Sequence, residues 1–143
     1  MENKNLLFLC TGNSCRSQMA EGLCRYYMSD RINCYSAGIE KHGLNPFAVI
    51  VMKELDIDIS NHKSKVLDEL ENIDFDYVIT VCGDAEERCP TFFNTPMLLH
   101  KGFDDPPKLA KNLKDNNEIL FHYRRVRDEI KNYIFALQDD LDI

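Results

Sequence analysis

A cysteine, five residues, then arginine and serine form the segment Cys10-Thr11-Gly12-Asn13-Ser14-Cys15-Arg16-Ser17. It lies between the apolar run Leu6-Leu7-Phe8-Leu9 and a stretch with helical patterning. A loop of this kind, set between strand and helix, is suited to holding a tetrahedral oxyanion. Backbone N–H groups of the loop and the helix N-terminus point at the anion, and Gly12 permits the tight turn. Arg16 can grip two oxygens with its planar guanidinium. Cys10 then lies beneath the anion in the same positive field, which favours its thiolate. A free thiol is only about 3% ionised at pH 7, so lowering its pKa by roughly two units makes thiolate the main form. The competing reading is a glycine-containing strand–helix turn with an inert cysteine. The thiol, the arginine, the serine and the setting together favour the oxyanion site.

Two further sets of residues carry chemistry. In Cys82-Gly83-Asp84-Ala85-Glu86-Glu87-Arg88-Cys89, two thiols stand seven positions apart. If the segment between them bends, Cys10, Cys82 and Cys89 form a relay. Cys82 attacks a sulfur adduct on Cys10, and Cys89 attacks the resulting Cys10–Cys82 disulfide. Hydrolysis of an ester needs none of this, whereas reduction of an oxyanion needs two electrons, which one dithiol supplies. The alternative is that Cys82 and Cys89 are inert or half of a metal site, but Cys15, Cys24 and Cys34 lack the paired spacing of zinc ligands. Cys24 and Cys34 read as core, and Cys15 as a spectator within the loop. Gly102-Phe103-Asp104-Asp105-Pro106 supplies a carboxyl able to protonate a departing oxygen.

These groups need a frame to bring them together, and the hydrophobic pattern supplies one. Leu6–Leu9 reads as a strand buried on both faces. Arg16 to Met28 carries Met19, Leu23, Tyr26 and Tyr27 at helical spacing. Asn33–Ser36 reads as a second strand, and Asn45 as the N-cap of a helix that runs to about Leu55 with Pro46 at its first position. Tyr77–Val81 and Met97–His100 read as third and fourth strands. A closing helix is expected from about Leu120 to Leu137, with Arg124, Arg125 and Arg127 on a solvated face. Pro106 to Asn117 reads as a loose segment. This alternation predicts an α/β fold, a four-stranded parallel sheet flanked by helices on both faces. Ligands bind such sheets beyond the carboxyl ends of the strands. Cys10, Cys82 and Asp104-Asp105 all fall at that rim.

The chain has 143 residues, which suits one domain spanning 1–143. Its net charge of −7 argues against nucleic acid and anionic membranes as partners. The opening residues suggest neither an export signal nor a membrane span, so the expected setting is the cytoplasm, where thiols serve redox or catalytic chemistry rather than a disulfide framework. A monomer is expected.

Taken together, several segments resemble thioredoxin-coupled arsenate reductases, a family built on the low-molecular-weight tyrosine phosphatase fold. They are Cys10 to Gly22, Tyr35-Ser36-Ala37-Gly38-Ile39-Glu40, Asp58-Ile59-Ser60-Asn61-His62, the Cys82/Cys89 pair, Gly102 to Pro106 and Arg125-Val126-Arg127-Asp128-Glu129-Ile130. The resemblance implies Cys10 as nucleophile and Cys82 and Cys89 as the shuttle. It implies Thr11, Gly12, Asn13, Ser14, Cys15 and Arg16 as the oxyanion loop, Asp105 as the acid, and Ser17 as support for the thiolate. Arsenate would be the substrate and reduced thioredoxin the electron donor, with no tightly bound cofactor. Relatives that bind potassium use residues matching Asn13, Glu21 and Ser36 with an aspartate where Lys65 stands here, so no metal is assigned. His62 matches a position close to the loop. The alternatives are a low-molecular-weight protein tyrosine phosphatase, for which Pro107 and Lys108 replace the expected aromatics, and a non-catalytic arsenite-binding sensor.

Overall fold

The structure, a computed structural model, describes residues 3–82 and 97–141. Four strands, β1 (Lys4–Cys10), β2 (Ile32–Gly38), β3 (Tyr77–Thr80) and β4 (Met97–His100), form one sheet in the order β2-β1-β3-β4. All three pairings are parallel, and the register sets Cys10 beside Gly38 and Thr80 beside His100. Leu6, Leu7, Phe8 and Leu9 are all fully buried, which in a strand requires cover on both faces. Removing each such side chain from water contributes about 1.5–3 kcal/mol.

Helix α1 (Arg16–Met28) lies against β1 and β2, and α2 (Pro46–Lys53) packs beside it. Asn45 caps α2 by accepting from the Phe47 and Ala48 amides, with Pro46 at the first helical position. The long closing helix α4 (Asn116–Asp140) packs on α1 and α2, burying Tyr123, Val126, Ile130, Ile134 and Leu137 along one stripe. It starts four residues earlier than its periodicity indicates, because the Asp115 carboxylate caps the Glu118 amide.

The structure corrects four readings. Tyr26 is mostly exposed, and the buried face of α1 instead includes Met19, Ala20, Leu23, Cys24 and Met28. The 106–117 segment is not loose throughout, since Pro106–Leu109 forms a short helix, α3, begun by two prolines whose fixed φ suits a first turn. Arg127 is buried rather than solvated: its guanidinium donates to the Val51 carbonyl and pairs with Glu54, tying α4 to the end of α2. Cys24 and Cys34 are core residues, as expected, but they are also joined by a disulfide that staples α1 to β2. Among the described residues no helix is long and apolar enough to cross a membrane.

Candidate functional site

The loop after β1 has its carbonyls fully committed to the protein. Ile39 N donates to Cys10 O at 3.1 Å, Glu40 N to Thr11 O at 2.8 Å, His42 N to Gly12 O at 3.0 Å and Asn45 N to Ser14 O at 3.0 Å. Gln18 Nε2 reaches Asn13 O at 3.2 Å. In a trans peptide the C=O and the following N–H point opposite ways. Turning the carbonyls of residues 10–14 outward therefore aims the amides of residues 11–15 at the other side, a concave cradle for an anion. The cradle is a cavity of about 330 Å³ lined by Cys10, Thr11, Gly12, Ser14, Cys15, Arg16, His42, Asn45, Asp105 and Pro107. Helix α1 opens onto it without a side-chain N-cap. Gly38 must be glycine here, since a Cβ would fall 2.5–2.8 Å from backbone atoms of Thr11, Asn13 and Glu40.

Arg16 spans the mouth of the cavity. Its Nη1 donates to Phe103 O at 3.0 Å and its Nη2 lies 3.7 Å from Asp105 Oδ1. Its Nε is buried and has no hydrogen-bond partner among the described residues. Burying an unpartnered guanidinium nitrogen is costly, and an oxyanion in the cradle would satisfy it. Asp105 sits at the start of α3 and lines the same cavity as Cys10, so the β4–α3 turn carries the acid to the loop.

Cys10 ends β1, and Cys82 follows β3 on the same rim. Cys82 Sγ is 3.1 Å from Thr11 Oγ1 and shares a hydrogen bond with the Cys10 thiol. That bond and burial hold the Cys10 pKa well above the ordinary thiol value, against the pull of Arg16 and the Thr11 amide. Arg16 and the Thr11 amide act in the opposite direction to the Cys82 contact on the same sulfur. Two interacting thiols titrate as a pair, so movement or ionisation of one changes the other. Cys15 is buried, and burial pushes its pKa up despite Arg16 nearby. It stays a neutral thiol. Cys89 lies outside the described residues.

Asn13, at a left-handed φ of 47°, turns its side chain away from the cavity and braces the loop from behind. It donates to Ser17 Oγ and Ser36 Oγ, both at 2.9 Å, and accepts from the Lys65 amide at 2.8 Å. Ser36 in turn donates to the buried carboxylate of Glu21 at 2.9 Å. Lys65 Nζ lies 3.8 Å from Glu21 and 3.0 Å from the Lys63 carbonyl. His62 stands behind the loop, 3.0 Å from Gln18 Oε1 and 3.4 Å from Glu21. Burial lowers its pKa, opposed by Glu21. Among the described residues no group of three or more histidine, cysteine or acidic side chains could hold a metal ion. Sequence reasoning missed His42 at the cavity and saw Asn45 only as a cap. The one available signal for His42 was its place just after Gly38, the residue that abuts the loop.

The model of the low molecular weight phosphotyrosine protein phosphatase family matches residues 5–142. The chain belongs to this family. It is 52% identical over 132 residues to an arsenate reductase of Bacillus subtilis (strain 168), covering 92% of this chain and 93% of that one. A solved arsenate reductase in a phosphate-binding state superposes with a TM-score of 0.76 at 30% identity, covering 96% of this chain and 98% of that one. The thioredoxin-dependent arsenate reductase of Corynebacterium glutamicum superposes at 0.73 with 25% identity, covering 98% of this chain and 62% of that one.

Proposed function

We propose that this protein reduces arsenate to arsenite with electrons supplied through its own cysteines and replenished by reduced thioredoxin. The observation that carries this reading is Cys82, a second thiol in contact with the nucleophile at the floor of an oxyanion cradle. A hydrolase of this fold has no use for it. The similarity to arsenate reductases, one of them thioredoxin-dependent, supports the same conclusion.

The chemistry follows from the placement of the groups. Arsenate enters the cradle, and the loop amides of residues 11–15 with Arg16 take its negative charge. As the anion settles, Cys10 loses its proton and its thiolate attacks arsenic. An arsenic–oxygen bond breaks, and the oxygen leaves as water with a proton from Asp105. Cys82 thiolate then attacks Cys10 Sγ. The Cys10–Cys82 bond forms, the sulfur–arsenic bond breaks, and its electron pair stays on arsenic, which leaves as arsenite. Cys89 attacks Cys82 Sγ next, releasing Cys10 as thiolate and leaving a Cys82–Cys89 disulfide for a dithiol donor to reduce. Ser17, buried under the loop beside Asn13, supports the geometry around Cys10. The expected setting is the cytoplasm, where such a donor is maintained.

One substitution tests the relay. Cys89→Ser should perform a single arsenate reduction and stop with Cys10 bonded to Cys82, as read by peptide mapping. Continued turnover of that variant with thioredoxin, thioredoxin reductase and NADPH would remove Cys89 from the relay, and aryl phosphate hydrolysis without arsenate-dependent NADPH oxidation by the unaltered protein would favour a phosphatase.

A further inference from the structure

The rim of the cavity carries charge that the chemistry above does not use. Pro107 lines the cavity and belongs to the short helix α3. From Pro106 to Asp115 the chain holds three lysines, Lys108, Lys111 and Lys114, against one acid, Asp115. The molecule as a whole has a net charge of −7. All three lysines are exposed, and among the described residues none of them makes an ion pair. By contrast, Lys41 pairs with Glu69 at 3.2 Å, Lys65 lies 3.8 Å from Glu21, and Lys101 and Lys131 stand over aromatic rings. The acids at the rim are matched elsewhere. Asp104 pairs with Arg125 at 2.9 Å, and Asp105 lies 3.7 Å from Arg16. The Asp115 carboxylate is turned to the Glu118 amide. Lys108 adjoins Pro107 in the chain. The winding continues past α3, with Ala110 N donating to Pro106 O at 2.9 Å and Lys111 N to Lys108 O at 3.4 Å. Lys111 therefore stands one turn, about 5 Å, beyond Pro107.

Building on the reading of the cradle as the entry for an anionic substrate, we propose that Lys108, Lys111 and Lys114 recruit small inorganic oxyanions to the cavity mouth, where Arg16 and the loop amides take them over. An acidic protein repels arsenate at long range. Uncompensated cations beside a recessed site offset that repulsion and raise the local concentration of anions. The rim acts on capture rather than on bond making, because its charges are solvated and screened by salt. It favours dianions over monoanions and leaves neutral molecules unaffected.

The test compares iodoacetate, an anion, with iodoacetamide, which is neutral and of similar size. Both are attacked by the same Cys10 thiolate, so the ratio of their rates cancels any change in Cys10 ionisation and reports the potential at the cavity mouth. Modification of Cys10 is followed by peptide mapping at pH 8. At 0.01 M ionic strength, where charges act over about 30 Å, replacing Lys108, Lys111 and Lys114 together by glutamine should lower the iodoacetate-to-iodoacetamide ratio about fourfold. At 1 M, where they act over about 3 Å, the variant and the wild-type protein should agree. A charge-matched control replaces Lys4, Lys53 and Lys131, none of which lines the cavity or adjoins a lining residue. Its ratio at low salt should fall by less than about twofold. An unchanged ratio in the rim variant at low salt would overturn the proposal. So would an equal fall in the control, which would assign the effect to net charge alone. The expected pattern in a protein unable to reduce arsenate would remove the arsenate reading and leave the recruitment of anions standing.

Discussion

The chemistry of Cys10 depends on which neighbour controls its proton. Arg16 and the Thr11 amide draw the thiol toward its anion, while the hydrogen bond to Cys82 and burial hold it as a thiol. The second influence is the larger one in this arrangement. A reductase gains from that contact, because the thiol that must later attack Cys10 Sγ already touches it. Substitution of Cys82 by alanine should therefore move the midpoint of Cys10 alkylation by iodoacetamide to lower pH. Cys15→Ala serves as the reference, since its thiol is buried and held neutral and its loss leaves that pair intact. An unchanged midpoint in Cys82→Ala would mean that Cys82 does not restrain Cys10.

At the level of elements, the loop is held by two neighbours joined to each other. α1 supplies Ser17, Gln18 and Glu21 behind it, and β2 supplies Ser36 and Gly38. The Cys24–Cys34 disulfide, with Cα atoms 6.2 Å apart, locks these two elements together ten residues apart in sequence. Closing a loop of this length restricts the unfolded chain by about 3 kcal/mol in the chain-entropy view. Reduction of that disulfide should lower the thermal midpoint by several degrees. The contrast is clean in a protein also carrying Cys24→Ala and Cys34→Ala, whose midpoint should not respond to reductant through this bond. Because both sulfurs are buried, the disulfide should also resist mild reductant.

For the whole molecule, acid weakens the fold in two steps. His62 is held neutral by burial, so its folded pKa lies below its unfolded value. The unfolded chain takes up that proton first, and stability falls as pH drops below about 6.5. Glu54, held down mainly by its Arg124 hydrogen bond, and Glu69, held down by the Val66 amide, have folded pKa values lowered too. Their contributions are present above the ordinary carboxylate range and disappear as pH falls through it. The thermal midpoint should thus begin to decline below about pH 6.5 and fall further below about pH 4.5. His62→Gln should remove the first decline and keep the second. Retention of both by that variant would show that His62 does not couple to folding.

Local pattern alone determined the β1 run, the α1 start at Arg16, the Asn45-Pro46 helix opening and the β4 strand, because each follows from side-chain periodicity or a cap within a few residues. The same local reading placed Cys10, Cys82 and Asp105 at one rim, since parallel strands with helical connections leave their carboxyl ends together. Distances across the fold were beyond its reach. The pairing of Cys24 with Cys34 requires α1 to lie on β2 at a particular height. The burial of Arg127 requires the end of α2 to present the Val51 carbonyl and Glu54 to it. The contact of Cys82 with Cys10 reverses the balance of forces on the nucleophile, and the backbone hydrogen bonds from Ile39, Glu40 and His42 bring His42 onto Gly12. Sequence sets what each residue can do; packing between elements distant in the chain decides which of those capacities meet.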